Sequence, residues 1–392
     1  MRNVFILSAV RTPIGRFGGA MASLSAADMG AIAASAALQR ARVTPEQIEE
    51  AIFGNARQAG GGPNVARQIS IRASVPESVP AYTVNQACAS GMKAIALGGE
   101  EIAHENMHCV LVGGTESMSR LPYYLDNARW GYRLGNAEIV DGMYRDGFFC
   151  PMSQMVMGET AEVLASEYNI SRDEQDAFAL RSQTRAAEAI SAGRFDSEIV
   201  PVTIEGKKGA TVFSRDEHPL AGVTIEKMAK LAPVFSKTGT ITAGNASGIT
   251  DGAAAMVLAS EEFVKQNSLK PLARIVAATT AGVEPRRMGI GPVPAMKKLE
   301  EKTGRSSSDY DLIELNEAFA AQVIACDREL HLEAEKLNVN GGAIALGHPI
   351  GCTGARITTT LLHEMLRRGA DSGVATLCVS GGMGMALAIE RC

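Results

Sequence analysis

Short, nearly continuous apolar runs alternate with Ala-rich amphipathic stretches along most of the chain. Residues 4–10 are apolar with few breaks, which predicts a strand buried on both faces. Residues 28–42 space their apolar positions as a helix does. Thr44-Pro45-Glu46-Gln47 predicts a helix start with a capping box and an early proline, running into a strand over 51–54. The segment 84–92 makes a tight turn of small residues about Cys88, followed by a helical run over 93–103 and a buried strand at 108–112. From 119 to 248 the rhythm is lost and most of the aromatics gather, Tyr123, Tyr124, Trp130, Tyr132, Tyr144, Phe148 and Phe149 among them. One clear helix stands there, capped at Ser171, boxed by Glu174 and stopped at Gly193.

From residue 271 the first rhythm returns. Strand-like runs at 272–279 and 310–315 match those at 4–10 and 51–54, and Val339-Asn340 echoes Val84-Asn85. A tight turn at His348 precedes a helix over 354–367, and 374–379 ends in Gly381-Gly382 as 108–112 ends in Gly113-Gly114. Four elements recurring in order predict two similar α/β halves. The first covers 1–118 and is completed by 249–270, the second covers 271–392, and 119–248 is an insertion lying over a site. Halves packed about a pseudo-twofold axis bring equivalent loops together, so the turns at Cys88 and His348 can share one site.

Composition narrows the class. The 392 residues are 46% hydrophobic and 21% charged, with a formal net charge of −5. That is a globular composition, and it argues against a nucleic-acid or membrane-surface binder. The seven cysteines show no Cys-x-x-Cys pair and no zinc-finger spacing, so neither a metal nor a disulfide framework is expected. Without a secretory segment or an apolar run of spanning length, a cytoplasmic protein with reduced thiols is expected.

The candidate chemistry lies in the turns. A thiol at a helix start, as at Cys88, faces free N–H groups that favour the thiolate. Taken alone it also fits a small buried cysteine in an Ala/Gly corner. His348, between glycine and proline, offers an imidazole with an ordinary value near neutral pH and would complete a Cys–His pair. Cys378 closes a strand and precedes Ser380-Gly381-Gly382, whose N–H groups can form an anion nest. Asn316 follows another strand and can hold a water or an oxyanion, or simply cap a helix. The remaining cysteines and the five other histidines carry no such context. Gly113-Gly114-Thr115-Glu116 and Gly60-Gly61-Gly62-Pro63 lack dinucleotide or P-loop spacing.

Together, Asn85-Gln86-Ala87-Cys88-Ala89-Ser90-Gly91, Asn316-Glu317-Ala318-Phe319, the run from Asn340 to Pro349 and Cys378 with its glycines resemble the thiolase family over the whole chain. The resemblance implies two βαβαβαββ halves in a five-layered α/β/α/β/α core, with a loop domain over the coenzyme A site. It implies reversible Claisen condensation of two acetyl-CoA, or thiolysis of a 3-ketoacyl-CoA, through an acyl group on Cys88. His348 would activate Cys88, and Cys378 would move the proton at carbon. Oxyanion donors would be His348 with a water on Asn316, and the backbone N–H groups of Cys88 and Ser380. The coenzyme A thioester would be a substrate, with no permanently bound cofactor and no metal. Its path would be lined by Met157, Phe235, Ala243, Ser247, Met288, Ala318 and Phe319, with Lys227 or Lys230 toward the nucleotide.

A homodimer or dimer of dimers is implied in the same way. Three positions depart from the family pattern: Ser380 replaces a common glycine, Val156 a histidine of many short-chain members, and Leu220 an arginine near the nucleotide. At 380 a side chain is expected to add strain if the backbone there requires glycine. Competing expectations are a thiolase for longer 3-ketoacyl-CoA, a decarboxylating ketoacyl synthase, and a non-catalytic acyl-CoA binder. A synthase would pair its cysteine with two histidines where Asn316 and Cys378 stand, and a non-catalytic relative would be expected to have lost Cys88, His348 or Cys378.

Overall fold

Local chemistry sets the element ends. Ser25 and Asp28 form a reciprocal capping box that opens the first helix. Ser171 and Glu174 do the same for the helix in the insertion. The computed structural model describes residues 2–206 and 209–392. In chain order its core elements begin with β1 (Val4–Arg11), α1 (Ala26–Ala41), β2 (Glu50–Gly54), α2 (Val65–Arg72), β3 (Ala81–Val84), α3 (Ser90–Ala103) and β4 (Cys109–Ser117). The insertion contributes α4 (Met157–Glu167) and α5 (Arg172–Ser191), and β5 (Thr250–Ser260) returns to the core. The second half holds β6 (Ala273–Gly282), α6 (Pro292–Thr303), β7 (Leu312–Leu315), α7 (Ala320–Leu330), α8 (Ile350–Arg368), β8 (Ser372–Val379) and β9 (Met383–Arg391).

The strands run in the order β7-β8-β9-β6-β1-β5-β4-β2-β3. Its two parts repeat one another. β1 pairs antiparallel with β5, β5 antiparallel with β4, and β4 parallel with β2. In the second half β6, β9, β8 and β7 repeat those three pairings in the same senses. The seam between halves is short: only Val4, Phe5 and Ile6 pair with β6.

Strand alternation sorts the side chains into layers. Val110 and Val112 of β4, with Ala375, Leu377 and Val379 of β8, face a central layer made by α3 and α8. Cys109 and Leu111 face the outer helices α1 and α2. Val374 of β8 and Ile313 of β7 face α6 and α7 on the other outside. The result is a helix–sheet–helix–sheet–helix stack with α3 and α8 buried in the middle. Among the described residues no helix is long and apolar enough to cross a membrane.

Several expected boundaries differ. Thr44-Pro45-Glu46-Gln47 makes a single 3₁₀ turn, Pro45–Gln47, because β2 claims the chain three residues later. α3 and α8 start at Ser90 and Ile350, earlier than the expected 93 and 354. Glycines inside both first turns are tolerated because the helices cross there at close range. The insertion holds a helix the sequence pattern did not signal, α4, whose start has no polar cap side chain. The Glu159 carboxylate instead accepts the Val156 N–H at 2.8 Å.

Candidate active site

Cys88 sits in a 3₁₀ turn, Ala87–Ala89, that runs into α3. Ala87 has φ 46°, a left-handed conformation costly for alanine. Side chains hold it there. Asn85 Oδ1 accepts the Ala87 N–H, while Ser90 Oγ donates to the Ala87 carbonyl at 2.6 Å and accepts the Gln86 N–H at 2.9 Å.

His348 comes from the matching turn of the other half, before α8. Gly347 has φ 100°, and a Cβ on it would lie 2.4 Å from Thr250 Cγ2. The His348 N–H donates to the Gly248 carbonyl at 3.1 Å. Its Nδ1 lies 2.6 Å from Thr353 Oγ1, which itself donates to the Pro349 carbonyl at 2.9 Å. With its one proton committed, the threonine hydroxyl accepts from Nδ1–H, and in the neutral ring Nε2 is left as a free acceptor.

The two turns meet because α3 and α8 cross on glycine. A Cβ on Gly91 of α3 would fall 3.0 Å from the Gly351 carbonyl oxygen, and one on Gly354 of α8 2.5 Å from the Met92 nitrogen. Glu116, buried at the end of β4, ties the halves with its carboxylate. It accepts the N–H groups of Ala56, Arg57 and Gly351 and the Asn55 amide.

Cys378 is the penultimate residue of β8 and is 1% exposed. The Ser380 N–H is aimed at the Cys88 sulfur. The strain expected at Ser380 is not found: the left-handed residues are Gly381 and Gly382, at φ 89° and 86°. Asn316 is 1% exposed, and its N–H donates to the Thr376 carbonyl, two residues before Cys378. Neither polar atom of its amide has a partner among the described residues, so it does not act as a helix cap.

A cavity of about 550 Å³ opens here, and Asn316 lies outside its lining, buried behind it. Cys88, His348, Cys378 and Ser380 line it together with Met157, Met288, Ala318 and Phe319. Phe235, Ala243 and Ser247 complete its wall, and the Phe235 and Phe319 rings meet edge to face with centroids 6.3 Å apart. Val156 also reaches the lining. Lys227 does not: its ammonium donates to the Gly222 carbonyl at 2.7 Å on the exposed surface of the insertion. Leu220 is likewise exposed. Among the described residues no group of three or more His, Cys, Asp or Glu is placed to hold a metal.

Burial reverses two electrostatic expectations. Desolvation pushes the Cys88 thiol above its usual value, and the Ser380 and Cys88 N–H groups and the positive charge of Arg57 only partly offset it. His348 is pulled down to about 3, first by burial, then by the charges of Arg356 and Arg57. Cys378 is raised well above the usual thiol value by burial and by the neighbouring Cys88. The resting site therefore holds neutral thiols and a neutral imidazole.

Three participants escaped the sequence reading. Thr353 was visible only as part of the run after His348, and Glu116 lay in a motif dismissed for lacking phosphate-loop spacing. Arg57, which lines the cavity, lies in a loop with no motif at all.

Comparison with known proteins agrees with this geometry. The family description "Thiolase, N-terminal domain" matches residues 4–262, and "Thiolase, C-terminal domain" matches 269–391. The chain is 51% identical over 393 aligned positions to an acetyl-CoA acetyltransferase of Syntrophomonas wolfei, covering 99% of each. The crystal structure of the Bacillus anthracis acetyl-CoA acetyltransferase superposes with a TM-score of 0.98 at 49% identity, covering 100% of this chain and 99% of the other. That of human mitochondrial 3-ketoacyl-CoA thiolase gives 0.96 at 44%, with the same coverage. With both halves matched in sequence and in topology, the chain belongs to the thiolase family.

Proposed function

We propose that the chain is an acetyl-CoA C-acetyltransferase that interconverts two acetyl-CoA with acetoacetyl-CoA and free CoA. The observation that carries this reading is one cavity bordered by two thiols, an acceptor imidazole and an inward N–H, brought together from the Cys88 turn, the His348 turn and the end of β8. Full-length relatives bearing that name at about half identity favour a two-carbon unit over a longer 3-ketoacyl chain.

Cys88 attacks the thioester carbonyl while His348 Nε2 takes the thiol proton. The N–H groups of Cys88 and Ser380 receive the oxyanion, and one such donor is worth ~3 kcal/mol in the transition state. CoA leaves as the thiol, taking its proton from Cys378. The site then holds acetyl-Cys88, an imidazolium and the Cys378 thiolate. That thiolate removes a proton from the methyl carbon of the second acetyl-CoA. The imidazolium and a water on the Asn316 amide receive the enolate oxygen. The carbanion adds to the Cys88 thioester, and collapse releases the Cys88 sulfur, which recovers its proton from His348. Cys378 keeps the proton it took from carbon, so the site is restored.

The apolar wall of Met157, Phe235, Met288 and Phe319, with Ala243, Ser247 and Ala318, suits the pantetheine arm, and CoA is substrate rather than resident cofactor. We place the protein in the cytoplasm as a homodimer or dimer of dimers, with the exposed Tyr123, Trp130 and Tyr144 of the insertion as contact candidates. The test is acetoacetyl-CoA thiolysis by the wild type and by Cys88→Ala; equal rates would end this mechanism. Cys378→Ala should still acquire an acetyl adduct on Cys88 by mass spectrometry while failing to condense.

A further inference from the structure

Arg57 is a cation in an otherwise mostly apolar cavity, and nothing in the chemistry above uses it. It follows β2 in the loop that packs beneath the insertion, and it lines the cavity beside Cys88, Phe148 and His348. Its charge depresses both Cys88 and His348, which places it at the reacting end rather than the mouth. Of its three guanidinium nitrogens only Nη2 has a protein partner among the described residues, the Gly147 carbonyl at 2.7 Å. Nε is buried without one. Gly147 presses on the group: a Cβ there would lie 3.3 Å from Nε. Glu116, the nearby carboxylate, accepts the main-chain N–H of Arg57, not the guanidinium. No carboxylate among the described residues stands within ion-pairing distance of this side chain.

We propose that Arg57 makes the acyl end of this cavity a receptor for a carboxylate, so that the enzyme also cleaves 3-oxoacyl-CoA thioesters whose acyl chain ends in a second carboxyl group. The inference rests on Cys88 as the acyl carrier. An apolar acyl tail would strip water from the guanidinium and give nothing back, whereas a terminal carboxylate forms a charge-assisted hydrogen bond and neutralises the charge. Bond changes are those of ordinary thiolysis. The bond between C2 and C3 breaks, the acyl carbonyl passes to the Cys88 sulfur, and the departing acetyl-CoA carbanion takes a proton from Cys378. The sulfur of free CoA then carries the acyl group away, and its thiol proton replaces the one Cys378 gave. The distal carboxylate takes part in none of these steps. Products are a dicarboxylic acid mono-CoA thioester and acetyl-CoA.

The rival role for Arg57 is to ease ionisation of Cys88 alone, and the two separate cleanly. Thiolysis of 3-oxohexanedioyl-CoA is measured against 3-oxohexanoyl-CoA, of equal carbon count, for the wild type, Arg57→Leu and Arg57→Lys. The readout is the ratio of the two kcat/KM values, in which any general loss of activity cancels. We expect the wild type to prefer the dicarboxylic substrate by roughly ten- to hundredfold. The preference should disappear in Arg57→Leu through KM, and survive in part in Arg57→Lys. A wild-type ratio at or below one overturns the proposal, even if the leucine variant fails to fold. A ratio unchanged in Arg57→Leu, with a shifted pH dependence of Cys88 alkylation, overturns it in favour of the rival. Turnover of acetoacetyl-CoA without the dicarboxylic preference sinks only this inference; no turnover of acetoacetyl-CoA sinks the proposed function itself.

Discussion

Cys88 and His348 show how far burial overrides a local motif. A helix start favours a thiolate, yet the thiol is raised because the same turn that aims N–H groups at the sulfur also removes it from water. With His348 held neutral, the two rest as thiol and imidazole, and under the proposed mechanism the proton would move only as the thiol attacks. Inactivation by iodoacetamide should therefore climb with pH toward and past the ordinary thiol value near 9. A plateau of reactivity between pH 5 and 8 would instead reveal a resting ion pair. His348 also links stability to acid. Its value falls from 6.5 in the unfolded chain to about 3 in the fold, so below pH 6.5 the unfolded chain binds a proton that the folded one refuses. Stability is then complete above pH 6.5 and is lost as pH drops toward 3, by about 1.4 kcal/mol per unit. Between pH 6.5 and 5 the wild type should lose roughly 2 kcal/mol more than His348→Asn in urea unfolding. Equal losses would show that the imidazole is protonated in the fold.

At the scale of elements, the site depends on two helices approaching closer than side chains allow. α3 and α8 carry no chemistry along their length, and their first turns set where Cys88 and His348 stand. Gly354 lies against the Met92 backbone nitrogen, with an added Cβ only 2.5 Å away. Gly354→Ala should push α8 from α3, cost about 1–3 kcal/mol of stability through overpacking, and lower kcat more than it raises KM. An unchanged kcat in a destabilised variant would mean that the crossing supports the fold without positioning the pair. The helix starts were misjudged from sequence for the same reason: a glycine in a first turn reads as a loop until the neighbouring backbone that requires it is seen.

At the scale of the molecule, a buried charge cluster helps to fasten the insertion to the core. Arg11, at the end of β1 and fully buried, donates to Glu198 at 2.5 Å and to both oxygens of Asp216, at 2.7 and 2.9 Å. Burial alone would lower the guanidinium, but these two carboxylates hold it above its usual value. Arg11→Met leaves two interior carboxylates without this counter-ion, held only by donors such as the Ile14 N–H on Asp216 and the Thr360 hydroxyl on Glu198. It should cost about 3–5 kcal/mol and expose the stretches 195–206 and 209–218 to proteolysis before the rest unfolds. Simultaneous loss of all regions would show that insertion and core unfold as one unit.

Read from sequence alone, the duplicated order of strands was legible, because sheets buried on both faces write continuous apolar runs into the chain. The nucleophile turn, the histidine turn and Cys378 were legible too, since tight turns need small residues and leave reactive side chains conspicuous among them. Arg57, Glu116 and Thr353 were not, because their partners lie across the fold or in backbone groups that leave no mark in composition. Sequence by itself pointed to a duplicated α/β chain, to most of its elements and to the candidate reactive groups, all through local periodicity and turn chemistry. Only the tertiary structure decided that two turns some 260 residues apart share one cavity. It also decided that the groups there rest uncharged and that Arg57 stands among them with no carboxylate in salt-bridge contact among the described residues, its charge reaching the buried Glu116 only from farther off. Burial and the close crossing of α3 and α8 set those properties, and both arise only when the halves pack.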